Sequence, residues 1–185
     1  LFQVEFQTSR NQDSMISLIY HRKLDGSWEN AARNLNKKLQ ATIIGRSRKQ
    51  KLSYGNDYVI ETYKSFKSKY SLRLYEQCFS QTNPEICEKM LSWVEKNLIF
   101  SDDDVVELHC GLGTFTMLLS KIFRKVLATE NSRPSFAGLK ENLRLNKCFN
   151  VNVARLSGHE TLQAISNERS FNRLGGIDIS EFKFN

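Results

Sequence analysis

Residues 107–130, ELHCGLGTFTMLLSKIFRKVLATE, constrain the fold more than any other stretch of the chain. The apolar run Val105-Val106-Glu107-Leu108 reads as a short buried strand. Cys110-Gly111-Leu112-Gly113 reads as a turn that only small residues permit. Thr114 to Phe123 reads as a helix and Lys125 to Thr129 as a second strand, with Glu130 at its end. The stretch is therefore one β-α-β unit, with glycines at the first turn and an acid after the second strand. In such units the glycines let the main chain approach a ligand, and the acid accepts hydrogen bonds from ribose hydroxyls. The residues predict a nucleoside cofactor, with Glu130, 19 residues after Gly111, on the ribose.

The kind of cofactor follows from what comes after Gly113. A dinucleotide site carries a third glycine that lets a pyrophosphate reach the helix N-terminus. Here Thr114, Phe115 and Thr116 follow, and no third glycine appears. S-adenosylmethionine has no phosphate and does not need that glycine, so the motif favours it over NAD.

The 185 residues suffice for one ordinary domain or two small ones, and 40% hydrophobic with 25% charged residues describe a soluble globular chain. No apolar run approaches the roughly 20 residues of a membrane span, and no signal-peptide pattern opens the sequence. No membrane association is expected. The chain begins at Leu1 and ends at Phe184-Asn185 without a terminating element, so both ends look cut. Cys78, Cys87, Cys110 and Cys148 form no Cys-x-x-Cys pair. That spacing gives no support to a metal or iron–sulfur site and suggests a reducing, cytoplasmic setting.

Charge is unevenly distributed. Residues Arg33 to Arg73 hold eleven lysines or arginines against Asp57 and Glu61, in a chain whose formal net charge is +7. Five of the six tyrosines, Tyr54, Tyr58, Tyr63, Tyr70 and Tyr75, lie in or beside this stretch. Cations interleaved with aromatic rings suit RNA, the cations meeting phosphates and the rings stacking on unpaired bases. The same pattern also fits strands with one solvated charged face. Arg46, Arg48, Lys49 and Lys51 are the expected phosphate contacts.

Along the chain, residues 1–7 alternate like a strand, while 14–24 fit strand and helix equally. Asp25-Gly26 signals a turn, followed by a helix with Trp28, Ala31, Ala32, Leu35 and Leu39 on one face and Ser27 as its cap. Thr42 to Tyr75 reads as several strands. Asn83-Pro84 opens a helix whose buried stripe is expected to be Ile86, Met90, Trp93, Val94 and Leu98. Residues 101–104 read as an exposed acidic loop. Ser132 and Pro134 start a further helix with Phe136, Leu139 and Leu143 inward, and Val151 to Leu156 reads as a third strand. The boundary between an N-terminal basic domain and the nucleotide-binding part is expected near residues 76 to 84.

Several motifs together resemble the tRNA (uracil-5-)-methyltransferase family: Glu107-Leu-His-Cys-Gly-Leu-Gly-Thr-Phe, Val126-Leu-Ala-Thr-Glu130, Phe171-Asn-Arg-Leu-Gly-Gly-Ile-Asp178, Cys78-Phe-Ser-Gln-Thr-Asn83, Tyr20-His-Arg-Lys-Leu-Asp-Gly-Ser-Trp28 and Ile44-Gly-Arg-Ser-Arg-Lys. They cover nearly the whole chain and keep the family's order. The resemblance implies an α/β chain: a basic α+β tRNA-binding domain over 1–78, then over 79–185 the first part of a Rossmann-like S-adenosylmethionine-dependent methyltransferase domain with an incomplete sheet. It also implies S-adenosylmethionine as cofactor, tRNA as partner through its T arm, and formation of 5-methyluridine in the T loop. It implies Gln81, His109, Thr114 and Glu130 as cofactor-binding positions. Phe79 could pack near cofactor or substrate. His109 stands where the family usually has Tyr or Phe, and Thr114 where it usually has Asn.

Uracil C5 is too weak a nucleophile to take the methyl group unaided. The family adds a cysteine thiolate to C6, which makes C5 enolate-like, and then removes the C5 proton with a carboxylate. By the family's order the cysteine, the carboxylate and an Asp-Pro-Pro motif all fall after Asn185. The resemblance thus implies no catalytic residue within this chain and no turnover by it alone. The alternatives are a non-catalytic tRNA-binding or tRNA-folding module and an rRNA uracil-5-methyltransferase.

Overall fold

The computed structural model describes residues 1–98 and 101–184. The chain divides into two compact units, one of residues 1–61 and 74–76, the other of residues 62–73 and the chain from Gln77 onwards. Composition groups residues 62–73 with the basic first part. In the structure they belong to the second unit, because their backbone is hydrogen-bonded there, as described below.

In the first unit, β1 (Gln3–Thr8), β2 (Ser14–Ile19), β3 (Thr42–Ser47) and β4 (Gln50–Tyr54) form one sheet in the order β1-β2-β3-β4. The outer pairings are antiparallel, and β2 and β3 run parallel. A parallel pair needs a crossover, here α1 (Gly26–Leu39). The ambiguous segment 14–24 is a strand over 14–19. Met15 and Ser17 are buried on one side of β2, while Ile16 and Leu18 pack on the α1 core of Leu24, Trp28, Ala32 and Ile43 on the other.

The cap of α1 is Asp25 rather than Ser27. The Asp25 carboxylate accepts from the Trp28 amide at 2.9 Å and from the Ser27 hydroxyl at 2.6 Å. An ionised carboxylate at that position also complements the helix dipole. Trp28 and Ala32 are buried as expected, whereas Ala31 and Leu39 are exposed. Gly45, in mid-strand, makes room for Trp28: a Cβ there would lie 2.3 Å from the indole Cη2. The buried Glu76 carboxylate takes Arg46 and Lys51, the latter at 3.2 Å, and the Ser17 hydroxyl at 3.4 Å. Burial acts to raise this carboxyl, but Arg46 and Lys51 outweigh it and hold it below the usual range.

β5 (Tyr58–Lys64) and β6 (Lys69–Tyr75) form a two-stranded ribbon. Tyr63 and Tyr70 are buried in it, and Tyr54, Tyr58 and Tyr75 are only partly exposed. Tyr63 and Tyr70 are therefore packing residues, and their place among the charges reflects strand structure.

The second unit is a three-stranded parallel sheet, β7 (Ser101–Leu108), β8 (Phe123–Thr129) and β9 (Val151–Ala154), in that order. Its connections are α3 (Thr116–Ile122) and α4 (Arg133–Asn146), with α2 (Pro84–Asn97) before it and α5 (Gly158–Ile165) after it. Val126, Leu127 and Ala128 are fully buried, as a strand covered on both faces should be. This is the expected Rossmann-like α/β arrangement with an incomplete sheet.

Two expectations fail here. The acid run 102–104 lies in β7, not in a loop. Asp104 is buried because Arg124 pairs with it and the Lys183 amide donates to it at 2.8 Å. The buried stripe of α2 is Cys87, Leu91 and Glu95, while Ile86, Met90 and Trp93 are exposed. The reason is polar. Glu95 accepts from the Lys67 amide at 2.8 Å and the Ser68 hydroxyl at 2.9 Å, and Glu88 accepts from the Lys64 amide at 2.9 Å. These bonds turn an acidic residue inward and rotate the apolar ones out. Among the described residues, no helix is long and apolar enough to cross a membrane.

Replacing Gly45 by Ala forces Trp28 out of its position. The expected cost is about 1–3 kcal/mol, read as a lower thermal midpoint. An unchanged midpoint would mean that the indole can shift freely.

Candidate cofactor site

The end of β7 is where the chain leaves the sheet, and its backbone there is unusual. His109, Gly111 and Gly113 all have positive φ, at 55°, 59° and 93°. Gly113 must be glycine twice over, since a Cβ would also meet Leu139 Cδ1 at 2.6 Å and Met117 Cε at 2.9 Å. Nothing lies within 4 Å of a Cβ built on Gly111, so that side of the turn is open. The Cys110 amide donates to the Thr129 carbonyl at 3.1 Å and ties the turn to β8.

Beside this turn lies a cavity of about 400 Å³, lined by residues 79–81 before α2, residues 107–112 and Thr114 of the turn, and Phe115, Val94 and Leu119. Three of the four candidate residues, Gln81, His109 and Thr114, line it together. The fourth, Glu130, meets its rim: one carboxylate oxygen accepts from the Gly111 amide at 2.9 Å, the other from the Ser132 amide at 2.7 Å. Each oxygen keeps a second lone pair for a hydroxyl donor. The His109 ring lies against Gly158 at the start of α5, where a Cβ would come within 2.9 Å of Nε2. Thr114 turns its carbonyl to the Tyr70 hydroxyl at 2.7 Å. Phe79 stands at the cavity, 76% exposed.

Sequence reasoning passed over Glu107, which lies inside an apolar run. Glu107 is one of the residues lining the cavity, and its carboxyl accepts from the Thr116 hydroxyl at 2.6 Å. Burial pushes it up to about 7, against the lowering effect of that one hydrogen bond. An acid inside Val-Val-Glu-Leu, next to the glycine turn, was the available signal. Cys110, also at the cavity, is a poor nucleophile. Burial, then the charges of Glu107 and Glu130, push its thiol far above the ordinary value. Among the described residues, no group of three or more His, Cys, Asp or Glu side chains could hold a metal ion.

Strand, glycine turn, helix, strand and terminal acid around an open cavity define the Rossmann-like methyltransferase class. The crystal structure of Pyrococcus abyssi tRNA (uracil-54, C5)-methyltransferase in complex with S-adenosyl-L-homocysteine shares this fold: TM-score 0.60 at 14% identity, covering 82% of this chain and 38% of that one. The family model described as tRNA (Uracil-5-)-methyltransferase matches residues 1–185, and the chain belongs to that family. The tRNA/tmRNA (uracil-C(5))-methyltransferases of Cellvibrio japonicus and Ectopseudomonas mendocina are 43% and 44% identical to it over 184 residues, all of this chain and 50% and 51% of theirs. The chain thus spans about half the length of the curated relatives it matches.

A buried carboxyl raised from 4.5 to about 7 binds its proton more tightly in the folded state. Its contribution to stability is full below about pH 4.5 and is lost as pH rises through 7. Glu107→Gln should therefore gain on the unmodified chain as pH rises, by on the order of 2 kcal/mol above pH 7. Denaturant titrations at pH 5 and 8 measure this. An equal difference at both values would show that Glu107 is already charged at pH 5.

Proposed function

We propose that this chain is the cofactor-binding part of an S-adenosylmethionine-dependent enzyme that methylates uridine C5 in the T loop of tRNA. One observation carries the reading: Gln81, His109 and Thr114 share a cavity whose rim holds the Glu130 carboxylate. The cavity suits the group. Glu130 can accept from ribose hydroxyls while holding the Gly111 amide, and the open face of Gly111 lets the main chain approach the ligand. Glu107 offers a carboxylate to a cationic part of the ligand. Such a ligand would also pull its proton off, since an opposite charge favours the ionised form. Bound there, S-adenosylmethionine supplies an electrophilic methyl group.

The nucleophile is a separate matter. Cys87 and Cys110 are buried, and Cys148 sits beside Met117 and Ser120. Of these three only Cys110 lines the cavity, and burial makes its thiol harder to ionise. We infer that this chain alone binds cofactor without turning over. All four cysteines are free thiols, which fits a cytoplasmic, reducing setting.

The tRNA reading gains a more specific surface in the first unit. Arg46 and Lys51 are engaged by Glu76 and Asp57. Arg48 and Lys49, in the β3–β4 turn, are exposed, as are Arg22 and Lys23. The Ser47 hydroxyl joins the two loops by donating to the Arg22 carbonyl at 2.6 Å. These four cations, rather than Arg46 and Lys51, are suited to phosphates.

Glu130→Ala should weaken S-adenosylhomocysteine binding at least tenfold, about 1.4 kcal/mol, with little loss of fold. Unchanged affinity in a calorimetric titration would refute the ribose role. Arg48→Gln with Lys49→Gln should lower tRNA affinity and flatten its logarithmic salt dependence by roughly 1–2. A slope equal to that of the unmodified chain would make the turn a solvated surface only.

A further inference from the structure

Asn142 is fully buried in the middle of α4. A buried amide is destabilising unless its polar atoms are paired, and here they are. Its Oδ1 accepts from the Arg73 amide at 2.8 Å, and its Nδ2 donates to the Arg73 carbonyl at 3.2 Å and to the Leu112 carbonyl at 2.9 Å. One helical turn later, Asn146 treats Ser71 the same way, accepting from its amide at 3.2 Å and donating to its carbonyl at 2.8 Å.

Alternate residues of a strand are about 6.6 Å apart, and residues one turn apart on a helix are separated by about 6 Å. Two asparagines at that helical spacing can therefore face Ser71 and Arg73 of β6 much as a neighbouring strand would. Both clamp the ribbon, but Asn142 also reaches the glycine turn. Tyr70, from the same strand, donates its hydroxyl to the Thr114 carbonyl. The carbonyls of the residues on either side of Gly113 are thus both held, one by Asn142 of α4 and the other by Tyr70 of β6.

We propose that Asn142 and Tyr70 are positioning residues for the cofactor: by holding the Leu112 and Thr114 carbonyls they keep the turn in the shape that receives the ligand. Neither lines the cavity, so each acts through the turn. The proposal rests on the reading of the cavity as an S-adenosylmethionine site.

The test is S-adenosylhomocysteine binding by the 185-residue chain, measured calorimetrically below the melting range of every variant. Asn142→Ala and Asn146→Ala each remove a ribbon clamp, and both should lower the thermal midpoint. Only Asn142→Ala should also weaken binding, roughly tenfold. Tyr70→Phe, which keeps the packing, should weaken it roughly threefold or more and carries the test if Asn142→Ala does not fold. Equal affinity in the unmodified chain, Asn142→Ala and Tyr70→Phe would overturn the proposal alone. Equal losses in Asn142→Ala and Asn146→Ala would overturn it too, by showing general loosening. No binding by the unmodified chain would overturn the cofactor reading and the proposal with it.

Discussion

The second unit depends on a close approach at Gly113. With no side chain there, Leu139 of α4 and Met117 next to the turn occupy the space a Cβ would take. The close contact brings α4 near enough for Asn142 to reach the Leu112 carbonyl. It also fixes the turn so that the Gly111 amide meets Glu130. The two glycines have different reasons to be glycine. Gly113 is needed for packing, Gly111 for its backbone angle and the open space beside it.

Acids and cations divide the labour unequally in this basic chain. Many of the carboxylates bind the chain's own groups. Glu88 and Glu95 hold the tip of the ribbon, Asp104 holds Arg124 and the Lys183 amide, and Glu160 closes the capping box of α5 while pairing with Arg173. Glu76 takes up Arg46 and Lys51. The positive charge left exposed in the first unit includes its loops, at Arg22, Lys23, Arg48 and Lys49. Loops displayed by a rigid sheet are where binding residues are expected. The interior carboxylates, in turn, organise main chain that would otherwise lack partners.

What could be read from the residues depended on how local the cause was. The glycine turn, the strands beside it and Glu130 follow from short-range pattern, and so does the Asn83 cap of α2, which accepts from the Ile86 amide at 3.0 Å. Trp93 was misjudged because hydropathy favours burying a ring, while Glu95 goes inward to meet a hairpin tip 27 and 28 residues away. Glu107 and Asn142 were missed for the same reason. Each is a polar residue within an apolar face, and its value lies in a partner on another element. The tyrosines are ambiguous for a different reason: rings suited to stacking on bases are equally suited to packing in strands, and burial separates Tyr63 and Tyr70 from the half-exposed Tyr54, Tyr58 and Tyr75.

The sequence by itself determined the β-α-β unit, the glycine positions, the acid at the end of the second strand and the family to which these motifs belong. All of these depend on neighbours within a few residues or on a linear order of motifs. Only the tertiary structure decided which cations are left exposed, which face of α2 is buried, that residues 62–73 belong to the second unit, and that Asn142 holds the glycine turn. These outcomes turn on buried polar groups finding partners far along the chain. A hydrogen bond between residues 142 and 112 leaves no mark in local composition.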